Sequence, residues 1–163
     1  MNTRKYMLKS SLMACFVSCC VSFASADNPP FFTTDIKLND KGEMLLTEKG
    51  LKRVDIFSAD GKQLLRSYPM DETPTGILLD GDKAYVTTFE NTGKLQILLL
   101  ESGRIEAAIP TGSGACHPMF GPDKKTIYVC NQFDDSVSEI DPVNHRVLRT
   151  VKVLREPKSA VFS

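Results

Sequence analysis

Several familiar chemical signatures are missing from this chain. It holds no nucleophile elbow, no glycine-rich phosphate loop and no paired-histidine metal helix. The motif-borne routes to acyl transfer, nucleotide binding and zinc hydrolysis are therefore not written into it. The Cys-Xaa-Xaa-Cys-His spacing of a covalent haem site is absent too. No aspartate, histidine and serine fall where strands would bring them together. Tryptophan is absent. Beyond residue 26 no stretch keeps a helical period of useful length. Nor is there an excess of one charge, since 20 basic residues face 20 acidic ones. These gaps leave an architecture to be read and no reaction.

What is present starts with an address. Arg4, Lys5 and Lys9 precede an apolar stretch from Ser11 to Phe23, which is too short to span a bilayer as a helix. Ala24-Ser25-Ala26 follows, with small residues where a signal peptidase reads them. Residues 1–26 read as a signal peptide cleaved after Ala26, which sends the chain to the periplasm or the extracellular space. A lipid-anchored reading stands beside it. Phe16-Val17-Ser18-Cys19 resembles a lipoprotein box with Cys19 acylated, the one route by which the membrane would be a partner. Leu12-Met13-Ala14-Cys15 fits that box better but has too little apolar sequence before it.

Loss of the leader removes three basic residues and leaves 17 against 20 acidic ones, a net charge of −3. Such a surface has no bulk attraction for nucleic acid. Cys15, Cys19 and Cys20 also leave with it. Cys116 and Cys130 remain, an even pair in a compartment where disulfides persist.

The remaining sequence repeats with a period of about 41 residues. Glu43–Gly50 leads to Arg53–Met70, Thr73–Phe89 to Leu95–Pro110, and Ala115–Phe133 to Ser136–Val153. A fourth pass begins at Glu156. The turn at Ser58 to Lys62 recurs 42 positions later at Leu100 to Arg104, and again after 42 at Pro142 to Arg146. Tyr85 and Tyr128 lie 43 apart. Each unit reads as four short strands. In the third they are Pro118 to Gly121, Thr126 to Asn131, Val137 to Ile140 and Val147 to Val153, with turn residues between.

The second strands, such as TIYVCNQF (Thr126–Phe133) and AYVTTF (Ala84–Phe89), show no clean alternation of apolar and polar residues. A strand with one buried face alternates. Continuous apolar character means cover on both faces, as in a sheet sandwiched between sibling sheets. Alternation returns in the fourth strand, at Val151, Lys152 and Val153, which predicts a rim position. A period in the forties with four strands per unit is that of propeller blades.

Ile127 to Ser163 resembles the YVTN-type (YncE-like) β-propeller repeat. Its tyrosine-valine strand with a following asparagine, its V-S-x-I-D strand and its V-x-x-T-x-x-V strand match at Tyr128, Val129, Asn131, Val137, Ser138, Ile140, Asp141, Val147, Thr150 and Val153. Pro157, Phe162 and Ser163 match the opening of the next unit. Ser159 departs from the usual glycine and Glu139 from an apolar residue. The second unit keeps Tyr85-Val86-Thr87 but has Thr88 for the asparagine, and the first keeps only Leu45-Leu46-Thr47. The resemblance implies an all-β propeller of four-stranded blades and says little of function, since such repeats serve many roles.

Three blades are expected at about 29–70, 71–111 and 112–153, with the first strand of a fourth at 154–163. That is an incomplete ring, since a seven-bladed one needs on the order of 290 residues and residues 27–163 are 137. Two readings follow. Either the chain is a fragment of a longer propeller, or two copies self-associate through their open blade faces.

Few residues are candidates for chemistry. The turn at Pro122 to Lys125 places Cys116 and Cys130 within one residue of opposition, which makes a disulfide feasible beside the reading of two half-buried thiols. His117 opens an inner strand and is expected to face the central channel as a polar residue without chemistry. Cys116, His117 and Cys130 match no zinc spacing and lack a fourth ligand, so no metal is assigned. His145 reads as a solvated turn residue, Asp134-Asp135 as a capped turn, and Asp60-Gly61 and Asp80–Asp82 as further turns. No catalytic residue and no cofactor are assigned.

The expectation is thus an exported, non-enzymatic module that presents loops at one end of its channel to a protein or small-molecule ligand not named by the sequence. The alternative is a sector of a propeller enzyme or redox subunit, lactonase-like or quinoprotein- or cytochrome-associated, inactive on its own.

Overall fold

Each repeat becomes one antiparallel four-stranded sheet in the computed structural model, which describes residues 32–90 and 92–162. The leader with Cys15, Cys19 and Cys20, and also Ser163, lie outside the described residues. The first sheet holds β1 (Thr33–Leu38), β2 (Met44–Glu48), β3 (Arg53–Phe57) and β4 (Leu64–Pro69). The second holds β5 (Pro74–Asp80), β6 (Lys83–Thr88), β7 (Lys94–Leu99) and β8 (Ile105–Pro110). The third holds β9 (Ala115–Phe120), β10 (Ile127–Asn131), β11 (Ser136–Asp141) and β12 (Arg146–Lys152). Strands follow sequence order in every sheet. β1, β5 and β9 pack side by side, so they form the inner edge and β4, β8 and β12 the outer one. The fold is all-β, an open set of propeller blades.

Two apolar interfaces hold the blades together. Leu45, Val54 and Ile56 of the first blade meet Ile77, Ala84, Val86 and Leu98 of the second. Tyr85, Leu95, Ile97 and Ile109 of the second meet Ala115, Ile127, Val129 and Ile140 of the third. Alternate residues of β6 and β7 therefore serve opposite neighbours, which is why those strands carry no polar face. β11 supplies the control. Its one unsheltered side restores strict alternation, with Ser136, Ser138 and Ile140 buried and Val137, Glu139 and Asp141 half-buried.

Three expectations need correction. The outer strands do not alternate as Val151, Lys152 and Val153 suggest, because β12 is exposed along nearly its whole length and β4 buries only Tyr68. A rim strand has little blade beside it on either face. Residues 154–162 form no strand. In a blade such a segment pairs with the second strand of its own sheet, and none stands beside it among the described residues. The segment instead lies along the third blade. Phe162 meets Tyr128 edge-on, ring centroids 4.9 Å apart, and Glu156 N donates to Asp135 Oδ1 over 2.8 Å. Finally, β9 begins at Ala115, three residues before the expected Pro118, so Cys116 and His117 belong to the strand.

Turn chemistry repeats with the blades. Gly61 (φ 71°) and Gly103 (φ 72°) occupy the left-handed region in the turns before β4 and β8, where glycine carries no Cβ penalty. His145 (φ 52°) takes that place before β12 and is exposed. Asp134 lies in a short 3-10 turn, Gln132–Asp134, rather than a β-turn, and Asp135 (φ 48°) closes it in the left-handed region.

Candidate functional site

The inner strands and the turns at their starting end carry what the molecule could present to a partner. Each inner strand begins with a hydroxyl or thiol at the same place, namely Thr34, Thr75 and Cys116. Thr34 Oγ1 lies 2.7 Å from Thr47 Oγ1 and 3.2 Å from Pro74 O of the next blade. Thr75 Oγ1 lies 3.0 Å from Thr87 Oγ1 and donates to Ala115 O over 2.7 Å. Cys116 Sγ lies 3.9 Å from Pro157 O and the same distance from Lys158 O. One short side chain thus ties each inner strand to the segment that follows it in the ring.

The next positions along the inner edge are Asp35, Gly76 and His117. Asp35 is fully engaged. Its carboxylate accepts from Ile77 N (3.1 Å) and Ile36 N (2.8 Å) and pairs with Lys37 Nζ (2.9 Å). Gly76 lets the second and third blades close up: a Cβ there would stand 2.9 Å from Pro118 Cδ and 3.1 Å from His117 N. His117 sits at a bulge between β9 and β10 with φ 49°, is exposed, and makes no side-chain hydrogen bond among the described residues.

Cys116 and Cys130 are direct cross-strand partners and stand unbonded in this structure. Burial pushes both thiols up, and the neighbouring Cys116 adds to the effect on Cys130, which reaches about 11. The structure does not gather Cys116, His117 and Cys130 into a metal centre. Among the described residues no group of three or more histidine, cysteine, aspartate or glutamate side chains is placed to hold a metal ion. A shallow cleft lined by Glu43, Ile56, Leu65 and Arg66 lies toward the outer strands, away from the inner edge. It brings one carboxylate and one guanidinium to an apolar wall and no nucleophile.

Sequence reasoning missed an aromatic row. Phe89 and Phe133 follow the second strands of two blades and meet edge-on with centroids 5.4 Å apart. Lys49, after β2, holds Nζ 5.2 Å from the Phe89 ring, a cation over an aromatic face. Lys49 N also donates to Phe32 O, which brings a further phenylalanine to the same end. Phe32 and Phe133 are more than half exposed and Phe89 is 37% exposed. The signal available in the sequence was the start of the turn after strand two, read across three units, with Lys49 and Phe89 at its first place and Phe133 at its second. Ion pairs surround the row, Lys52 with Glu90 and Lys94 with Glu72, and hold its turns in place. Lys52 and the Thr73 hydroxyl hold the Glu90 carboxyl below its ordinary range.

Beneath the row, Asn131 is fully buried. Its Oδ1 accepts from Gly112 N (3.0 Å), and its Nδ2 donates to Ser136 Oγ (3.0 Å) and Ser138 Oγ (2.8 Å). Asp134 Oδ2 accepts from Ser113 N at 2.6 Å. These bonds fix the turn that carries Phe133.

Comparison with known proteins supports the architecture. No family model matches the chain, and no curated protein does. Among solved structures it is similar to hydrazine synthase from Kuenenia stuttgartiensis, with a TM-score of 0.71 and 16% identity over 78% of this chain and 38% of that one. It is also similar to the computationally designed Ika8 protein, with a TM-score of 0.65 and 13% identity over 80% of this chain and 40% of that one. The chain thus spans about two fifths of the length of each. At these identities the likeness is one of fold.

Proposed function

We propose that this chain is an exported, non-enzymatic propeller sector, and that its end face of second-strand turns binds a partner protein. The observation that carries the reading is the exposed Phe89–Phe133 pair with Lys49 over the Phe89 ring, and exposed Phe32 at the same end. Aromatic side chains are enriched where proteins meet, and apolar groups this large are costly to leave in water without a use. The turns beneath are rigid, which lowers the ordering cost of binding. Export rests on the leader sequence, and kinship with YVTN-type repeats on the strand motifs quoted above. His117, exposed on an inner strand, is a channel-lining residue in this reading.

The sector belongs to a larger ring. Ile36 and Leu38 on the free side of β1 are 52% and 65% exposed, and the third blade's free side holds Tyr128 under Phe162. Further blades, from the same polypeptide or from a second copy, would cover both. Catalytic groups of propeller enzymes converge from several blades onto the channel, and the inner edge described here offers Asp35, already consumed by the fold, and one histidine.

A photo-reactive phenylalanine analogue at position 133 in the full chain, expressed in an exporting host, tests the binding role. Crosslinks to one discrete protein are expected, and they should be lost when Phe89 is replaced by glutamate. Adducts to water alone, or crosslinks unaffected by Phe89→Glu, would overturn it. Sequencing the mature N-terminus tests export separately, with Asp27 expected first.

A further inference from the structure

We propose that Cys116 and Cys130 are joined by a cross-strand disulfide in the mature protein, where the two other blades hold a pair of threonines. The equivalence is structural. Thr34, Thr75 and Cys116 each reach the backbone of the next segment in the ring, at Pro74 O, Ala115 O and Pro157 O. Their cross-strand companions are Thr47, Thr87 and Cys130. In the first two blades the companion oxygens stand 2.7 Å and 3.0 Å apart, so the backbone aims the two side chains at each other. Cys130 and Cys116 are direct Cα partners, whereas Thr47 and Thr87 pair by Cα with Asp35 and Gly76, one residue beyond Thr34 and Thr75.

Covalent geometry permits the bond. Directly opposed residues of an antiparallel pair have Cα atoms about 4.5 or 5.5 Å apart, and disulfides span Cα separations of about 4.4–6.8 Å. A flat, regular ladder accommodates such a bridge poorly. The bulge beside Cys116, marked by His117 at φ 49° and by the register shift between Tyr128 and Cys130, adds the local twist that a bridge needs.

The reaction balances with a small-molecule disulfide as oxidant. The Cys116 thiolate attacks one sulfur of oxidised glutathione and expels a glutathione thiolate. The Cys130 thiolate then attacks the Cys116 sulfur of the mixed disulfide and expels the second. Two thiols lose two protons and two electrons, and one glutathione disulfide becomes two thiols. Cys116 is half-buried under Pro157 and Cys130 is 1% exposed, so exchange is slow once the blade has closed. The bond forms during folding, before residues 156–158 cover the pair.

The test is made on the full chain without its leader. It is unfolded, refolded with reduced and oxidised glutathione, alkylated under denaturing conditions and mapped by mass spectrometry. The expected result is an intrachain link between the peptides carrying residues 116 and 130, with both cysteines resistant to alkylation and the chain two hydrogens lighter. Free thiols, stable glutathione adducts or a bond between chains would each overturn the proposal. Because single cysteine variants could misfold, the control is Cys116→Thr with Cys130→Thr, which restores the pair seen in the sister blades. Its urea midpoint should not respond to reductant, whereas that of the oxidised wild type should fall. A wild-type midpoint that ignores reductant overturns the proposal as well. Export alone determines where the oxidant is met in vivo, and N-terminal sequencing reads it independently of the peptide map.

Discussion

Ile97 and Leu98 are consecutive residues of β7, and both are fully buried. In a sheet with one wet face that cannot happen, because neighbours along a strand point to opposite sides. Here Ile97 packs into the interface with the third blade and Leu98 into that with the first. Truncation of either to alanine removes three apolar carbons that see no water. At about 0.8 kcal/mol per buried carbon the transfer loss is roughly 2.4 kcal/mol. The cavity left behind raises the expected cost to about 3–4 kcal/mol for each. The two side chains belong to different clusters but share one stretch of strand, so Ile97→Ala with Leu98→Ala should cost more than either alone, and its departure from the sum measures their coupling through the backbone. Val137→Ala on β11 faces the open side of the third blade and should cost under about 1 kcal/mol. Urea unfolding followed by far-UV circular dichroism and tyrosine fluorescence measures all four variants, since no tryptophan is present. If one of the adjacent pair cost less than about 1 kcal/mol while the other cost the full amount, the middle blade would have a wet face, and the sandwiched arrangement would be wrong.

The remaining predictions concern the site and its turns. Asn131→Ala strands the Gly112 amide and two serine hydroxyls in a buried place and should cost about 2–4 kcal/mol; Asn131→Asp should fare no better, because it replaces a donor of two bonds with an acceptor. Gly76→Ala forces a Cβ against Pro118 and His117 N, so it should lower the urea midpoint and raise amide exchange in β9 more than in β1. Backbone bonds from Lys125 and Thr126 hold the Asp123 carboxyl below its ordinary value, and the Asn144 side chain followed by its amide does the same for Asp141. A carboxyl with a depressed folded pKa adds stability that is present above the unfolded value, near 3.8, and lost as pH falls through the folded one. Both turns should therefore loosen only below about pH 4, read as carboxyl carbon shifts titrating at lower pH than in a free peptide, and Asp123→Asn should abolish that dependence locally while an unshifted titration would refute it.

The repeat and the sandwiched second strands were legible in the amino-acid order, because both are local. A period survives as turn residues such as Asp60-Gly61, Ser102-Gly103 and Asn144-His145 at fixed intervals, and two-sided burial survives as runs such as Leu95 to Leu100. Strand pairing within each blade followed from turns of the same kind, and the one at Pro122 to Lys125 set the register of Cys116 against Cys130 to within a residue. The aromatic row was not legible. Phe32, Lys49, Phe89 and Phe133 are scattered over a hundred positions, and only the radial stacking of blades brings their strand ends to one face. Nor did motif matching show that residues 154–162 lie along the third blade as an irregular segment. A strand motif states what a segment can pair with, whereas pairing needs a neighbour in space, and the neighbour is supplied by the assembled ring.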